Sequence, residues 1–274
     1  MSVVIAIKEK DTVWVATDSQ ASLAGTKMTL TSQNCLKIWR PTGHEDMVMG
    51  LVGAMRDNNI LSTVDYWIDE ATELKDEFNF KTVVRDTVPK IFSQLREFGS
   101  LMIQDGGVEV MQSAMILAYK DKAFQICEDG CVIEAPSEGD IMAIGSGFKH
   151  CLSAYDAIKD IDGLTIREKL IKTVAAACHA DLYVQYPIII TNTKMDTFEV
   201  FDGTSLIDGY TNEEIDMDGN SIVELTEEEI AGITKICEDM VKKQFPDREP
   251  SEDEMREIES AACRLYFGEE EEDV

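Results

Sequence analysis

Few side chains in this chain could carry covalent chemistry. The three histidines, His44, His150 and His179, are scattered, and none has the context of a Ser–His–Asp triad. The seven cysteines (35, 127, 131, 151, 178, 237 and 263) form no C-x-x-C pair. Neither Cys127 with Cys131 nor His150-Cys151 makes a zinc spacing, so they read as small buried hydrophobes with reduced thiols. What remains lies at the start. Ser2-Val-Val-Ile-Ala-Ile-Lys8 and Thr12-Val-Trp-Val-Ala-Thr-Asp18 flank Glu9-Lys10-Asp11 in a β-hairpin pattern. With a three-residue loop, facing positions sum to 20, and Ser2 stands opposite Asp18 on one sheet face. With a two-residue loop, Ser2 faces Ser19 instead. The first register puts a hydroxyl beside a carboxylate; equally, Asp18-Ser19 reads as the opening of an ordinary turn.

Weaker signals resolve toward structure. Asp216-Met-Asp218-Gly-Asn220 through Glu227 mimics a calcium loop, but Ser221 takes the sixth place, where glycine makes the sharp turn. Asp218-Gly219 reads better as a hairpin turn. His179 and Asp181 lack further ligands for a metal, and the 13 methionines are spread as core filler. No Gly-rich phosphate loop follows the first strand. Neither a cofactor nor a metal is expected.

The elements that must position a site follow from periodicity. Both N-terminal runs are apolar on both faces, which suits a sheet covered on each side. Further strands are predicted at 35–40, 46–53, 112–119, 122–127, 141–145, 186–193 and 196–201. Helical stripes run through Ile60, Leu61, Val64, Ile68 and Ala71; through about 80–98; from Phe148 to Ile158; and from Ile166 to Cys178. The last opens on Thr165-x-x-Glu168, a capping box, as do two later segments at Thr226 and Ser251. Strand groups alternating with helix pairs predict an α+β fold, a helix–sheet–sheet–helix sandwich rather than a doubly wound sheet.

Charge is unevenly spread over the 274 residues, with 25 Lys+Arg against 53 Asp+Glu and a net charge of −28. Residues 211–274 hold 22 acidic and 6 basic side chains, net −16. The composition shift predicts a domain over 1–205 and an acidic, mostly helical extension over 206–274. Such acidity argues against nucleic acid and anionic membranes as partners. No apolar run approaches the roughly 20 residues of a membrane span, and the N-terminus lacks a signal-peptide pattern. The expected location is cytoplasmic.

An ordered set of segments resembles the proteasome β subunit and its bacterial relative, the HslV peptidase. They are Met-Ser-Val-Val-Ile-Ala; Val-Ala-Thr-Asp18-Ser-Gln-Ala; Leu-Lys37-Ile; Met-Gly-Leu-Val-Gly53-Ala-Met-Arg-Asp57; Ala143-Ile-Gly145-Ser146-Gly147; and Ala177-Cys-His-Ala-Asp181. The resemblance spans roughly residues 2–200. It implies the four-layer α/β/β/α sandwich of N-terminal nucleophile hydrolases. By position it makes Ser2 the nucleophile once Met1 is removed, and Asp18 and Lys37 the charged pair beside it. It makes the Gly53 amide the oxyanion donor, with Ser146 and Asp181 supporting the terminal amine. It also implies a peptide or unfolded-protein substrate, a homo-oligomeric ring and an ATPase regulator.

The chemistry is coherent in its own right. A hydroxyl nucleophile needs a base, and an α-amine with a pKa near 7.7–8.0 supplies one without histidine. A lysine beside it favours the alkoxide and keeps the amine neutral. With no propeptide expected before Ser2, ordinary methionine removal would unmask it. The departures are a serine in place of threonine, Val184 in place of a supporting serine, and Ala54 in place of a second glycine. The expected activity is peptide-bond hydrolysis. The alternatives are an inactive ring subunit or a small-molecule amidase on the same fold.

Overall fold

The first hairpin shows how the sheet begins. β1 (Val3–Glu9) and β2 (Thr12–Asp18) pair Glu9 with Thr12 and Val4 with Thr17. Lys10 and Asp11 close the turn, with Lys10 in the left-handed region at φ 49°. The expected register is thus corrected by one residue: facing positions sum to 21, and Val3 rather than Ser2 falls in line with Asp18. A tight turn needs one residue fewer than Glu9-Lys10-Asp11 offers. A one-residue slip exchanges faces. Asp18 therefore shares the face of Trp14 and Ala16, while Ser2 shares by alternation that of Val4 and Ala6.

The computed structural model describes residues 2–23, 26–30, 36–64, 67, 78–104, 106–135, 137–204, 206–207 and 235. The calcium-like segment 216–227, the capping boxes at Thr226 and Ser251, and the acidic run at the end lie outside them. So do Ile68 and Ala71 of the first helical stripe. The chain divides into two compact units, 1–213 and 214–274.

Within the first unit, β3 (Gln20–Leu23) and β4 (Thr26–Thr29) make a small hairpin, followed by β5 (Ile38–Trp39) and β6 (Met47–Gly53). A second small hairpin joins β7 (Met102–Ile103) to β8 (Glu109–Val110). Then come β9 (Ser113–Tyr119), β10 (Lys122–Ile126), β11 (Val132–Glu134), β12 (Ile141–Gly145), β13 (Ile188–Asn192), β14 (Glu199–Phe201) and β15 (Leu206–Ile207). One sheet has the order β12-β1-β2-β13-β14-β15, the other β11-β10-β9-β6-β5. Each expected strand is present, though the one at 35–40 is reduced to two residues. The small hairpins and β11 carry too few residues to show periodicity.

The helices are α1 (Met55–Ser62), α2 (Phe80–Thr82, Val83–Thr87 and Val88–Glu97), α3 (Phe148–Ile158) and α4 (Ile166–Ala180). The middle segment of α2 is a π turn just ahead of Pro89, whose missing N–H cannot continue the α ladder. Thr165 and Glu168 cap α4 reciprocally.

Three apolar layers bind these elements. Val3, Ile5, Ile7, Ala16, Ile188 and Ile190 meet Cys151, Leu170, Val174 and Ala177 of α3 and α4. Between the sheets, Val4, Ala6, Val13 and Val15 face Val48, Val52, Ile116 and Ala118. On the far side, Met47, Met49, Leu51, Met115 and Leu117 pack on Leu61, Ile91 and Leu95 of α1 and α2. The result is the four-layer α/β/β/α sandwich. The sheets approach closely at Gly50, where a Cβ would lie 2.7 Å from Val4 Cγ1.

Candidate active site

The site gathers at one end of the sandwich, where β1 begins and β2 and β6 end. Asp18, the last residue of β2, is fully buried. Its Oδ1 accepts the Lys37 ammonium at 2.7 Å and the Val3 amide at 2.9 Å. Its Oδ2 accepts the Gln20 and Gln185 amides at 2.9 and 3.3 Å. A buried carboxylate is tolerable only with such a complement of donors.

Lys37 is 4% exposed. Its backbone carbonyl accepts the Leu51 amide at 2.8 Å, and the adjacent Leu36 carbonyl accepts Asn58 Nδ2 from α1. The lysine thus springs from a backbone pinned to β6 and α1. Burial pulls its pKa below 10.5, while the charge and hydrogen bond of Asp18 oppose the fall. Cys178 of α4 backs the pair. Burial, then the Asp18 charge, pushes its thiol up to about 12, so it stays protonated.

Ser2 is 5% exposed, and its Oγ lies 3.4 Å from the Gln20 carbonyl. The Ser2 carbonyl accepts the Gly147 amide and Ser146 Oγ, each at 3.4 Å. Thr17 Oγ1 donates to the Val3 carbonyl at 2.8 Å, fixing the next peptide. Gly145 abuts both Ser2 and β6: a Cβ there would lie 2.1 Å from the Ser2 carbonyl oxygen and 3.2 Å from Val52 Cγ1. Ser2 and the Val52–Gly53 end of β6 therefore flank one glycine.

Gly53 ends β6 at φ +129°, exposed, and a Cβ on it would lie 2.4 Å from the Gln112 carbonyl oxygen. Both conformation and space restrict this position to glycine. Asp181 ends α4, and its carboxylate accepts the Tyr183 amide at 2.8 Å. Val184, just beyond, is buried, and its Cγ2 would be 2.9 Å from a Cβ on Gly147, which would lie 3.2 Å from Val3 Cβ. The structure thus brings Ser2, Asp18, Lys37, Gly53 and Ser146 to one end of the sandwich. Asp181 sits at the adjoining helix exit, with its carboxylate engaged by its own turn.

Sequence reasoning assigned no role to Asp57 and Ser113. Asp57 is fully buried behind Gly53, where it accepts hydrogen bonds from Ser100 Oγ, Ser113 Oγ and the Gln112 amide. The signal for Asp57 was an acidic residue in the first turn of a helix just after a glycine. Ser113 offered none, since its partners lie across the sheet. Among the described residues, no three His, Cys, Asp or Glu side chains cluster as metal ligands. No helix among them is long and apolar enough to cross a membrane.

Two sheets between two helix pairs, with a buried Lys–Asp pair at the first strand, define the class of the N-terminal nucleophile hydrolases. A model of the proteasome subunit family matches residues 2–191, and the chain belongs to that family. It is similar to the ATP-dependent protease subunit HslV of Campylobacter concisus, 26% identical over 71% of this chain and 95% of that protein. The HslV of Paramagnetospirillum magneticum is 28% identical over 64% of this chain and 86% of that one. Among solved structures, Thiobacillus denitrificans BPH shares the fold with a TM-score of 0.54, at 19% identity. That likeness covers 69% of this chain and 96% of BPH.

Proposed function

We propose that the chain is a proteasome-like peptidase that uses Ser2, freed by removal of Met1, as its nucleophile. The buried Lys37–Asp18 pair carries this reading, because Asp18 Oδ1 joins the ammonium directly to the first amide of β1. Ser2 Oγ attacks the substrate carbonyl, and its proton passes to the Ser2 amine, through a water. Lys37 favours the alkoxide and holds the amine neutral, and Asp18 orients Lys37. The Gly53 N–H receives the tetrahedral oxyanion. The amine then protonates the leaving group, and water hydrolyses the acyl-enzyme. Ser146 and Asp181, by their positions, support the amine end.

The substrate is a peptide or unfolded protein. The similarity to proteins named ATP-dependent protease subunits supports a homo-oligomeric ring fed by an ATPase. A cytoplasmic location and an acidic appendage beyond the core complete the proposal.

Intact mass of the native protein, followed by trapping with an electrophilic peptide, tests the reading. The expected result is loss of Met1, one adduct per chain on Ser2, and no adduct in Ser2→Ala. Retained Met1 with no adduct makes the chain an inactive ring subunit. Turnover of small amides by a low oligomer, without turnover of peptides, makes it an amidase.

A further inference from the structure

Behind Gly53 lies a buried polar chain that the mechanism above does not use. Asp57 sits three residues past Ala54, the residue that opens α1, and is fully buried. Among the described residues it pairs with no lysine or arginine. Its carboxylate is met only by neutral donors: Ser100 Oγ on Oδ1, and Ser113 Oγ at 2.8 Å and the Gln112 amide at 3.2 Å on Oδ2. Ser113 Oγ in turn accepts the Ala54 amide at 3.0 Å. The Ala54 N–H can only donate, which leaves the Ser113 hydroxyl proton for Asp57: Ala54 N–H to Ser113 O–H to Asp57. The Gln112 carbonyl also accepts the Ala54 amide, at 3.2 Å.

This chain grips the peptide that follows Gly53. The one that precedes it is held in the ladder through Val52, which faces Ala114; the Ala54 N–H bond to the Gln112 carbonyl makes Gly53 and Ser113 a non-hydrogen-bonded pair, so the Gly53 N–H points away from β9. Ser113 Oγ also stands 2.8 Å from where a Gly53 Cβ would be. Glycine is the residue with the greatest freedom to rotate, and here both its flanking peptides are tied to Ser113 and its neighbours. The Asp57 carboxyl, itself held by the Ser100 hydroxyl and the Gln112 amide, fixes the rotor of the hydroxyl that grips this peptide.

We propose that Asp57 and Ser113 are positioning residues that lock the Gly53–Ala54 peptide and so, together with the ladder that holds the Val52–Gly53 peptide, fix Gly53 at its φ of +129° with the N–H turned to meet the oxyanion. The proposal rests on the peptidase reading above and names what keeps its oxyanion donor in place. A donor is effective only when preorganised, and losing one outright costs on the order of 100-fold or more in kcat. Loosening it through Ser113→Ala should cost about 10–50-fold.

The test compares two reactions of the same Ser2 in the full-length oligomer. Amide hydrolysis of a fluorogenic peptide passes through a tetrahedral oxyanion. Alkylation by a peptide vinyl sulfone, a conjugate addition to the double bond, does not. In Ser113→Ala, kcat for hydrolysis should fall about 10–50-fold with KM within twofold, while vinyl sulfone labelling slows less than threefold. Asp57→Asn should show the same split more strongly. Because Asp57 is fully buried and its Asn variant endangers the fold, Ser113→Ala, which deletes one oxygen, carries the decision. Equal loss in both reactions, a rise in KM at unchanged kcat, or no change at all overturns the positioning role. A wild type inert toward both reagents, or a Ser2→Ala variant that still hydrolyses the peptide, overturns the peptidase reading itself.

Discussion

Lys37 Nζ lies 2.7 Å from Asp18 Oδ1, with the lysine 4% and the aspartate 0% exposed. A buried pair of this kind is rarely kept for stability, since well-packed apolar side chains serve that end as well or better. Here the same carboxylate oxygen also accepts the Val3 amide, at 2.9 Å. The pair is thereby tied to the first amide of β1, the one that follows Ser2.

Removing one partner should expose that cost. Asp18→Asn leaves the Lys37 ammonium buried without its counter-charge and turns an NH2 toward two of the four donors. The expected loss is about 3–5 kcal/mol in urea denaturation, together with Ser2 reactivity. Adding Lys37→Met should recover part of the stability and none of the activity. A double variant as unstable as the sum of its parts would count against coupling.

The pH profile should carry the mark of the same lysine. Its pKa is held below 10.5 by burial, so its charge is present below that lowered value and lost as pH rises through it. kcat/KM should therefore fall on an alkaline limb that sets in below pH 10.5. The nearby Cys178 thiol, pushed up to about 12, cannot produce that limb. On the acid side, activity should rise as the terminal amine loses its proton, at or below its usual 7.7–8.0. A profile flat through pH 10.5 would show that the Lys37 charge is not required.

The layers were legible because β1 and β2 are apolar on both faces, as strands covered on each side must be, α4 keeps its helical stripe, and Thr165-x-x-Glu168 forms the reciprocal cap its spacing implies. Ser2, Asp18, Lys37 and Gly53 could be singled out from ordered motifs along the chain. The hairpin register could not, because a single left-handed residue, Lys10, decides whether two or three residues turn the corner. Short pairings such as β3 with β4 hold too few residues for a period to appear. The Asp57–Ser113 chain was beyond reach for another reason. It joins residues 56 apart whose proximity arises only when β9 is laid beside β6.

Gly145 is where a single methyl group should do the most local damage. Its φ of +97° already disfavours alanine, and the added Cβ would meet the Ser2 carbonyl oxygen at 2.1 Å. That oxygen is backbone and cannot swing aside. Gly145→Ala should cost about 2–4 kcal/mol and displace Ser2 enough to suppress electrophile labelling. An alanine variant with wild-type urea midpoint and labelling rate would mean that the start of β1 is free to move.

The cap of α4 provides the opposite case, a change in stability that leaves the chemistry alone. Thr165 Oγ1 accepts the Glu168 amide at 3.3 Å, and the Glu168 carboxylate accepts the Thr165 amide and hydroxyl, each at 2.8 Å. Two otherwise unpaired donors are satisfied, and a negative charge stands at the positive end of the helix dipole. The Thr165 bonds hold the Glu168 carboxyl below its usual pKa, so its contribution is present above the unfolded value and lost as pH falls through the lowered one. Thr165→Ala should therefore cost about 1 kcal/mol at neutral pH, and less at acidic pH where Glu168 is protonated in wild type too. Turnover and labelling at Ser2 should not change, because α4 is anchored by Leu170, Val174 and Ala177 further along. Urea midpoints at two pH values, read beside kcat, decide it: a loss of activity in step with the lost cap would mean that the start of α4 and the site move as one.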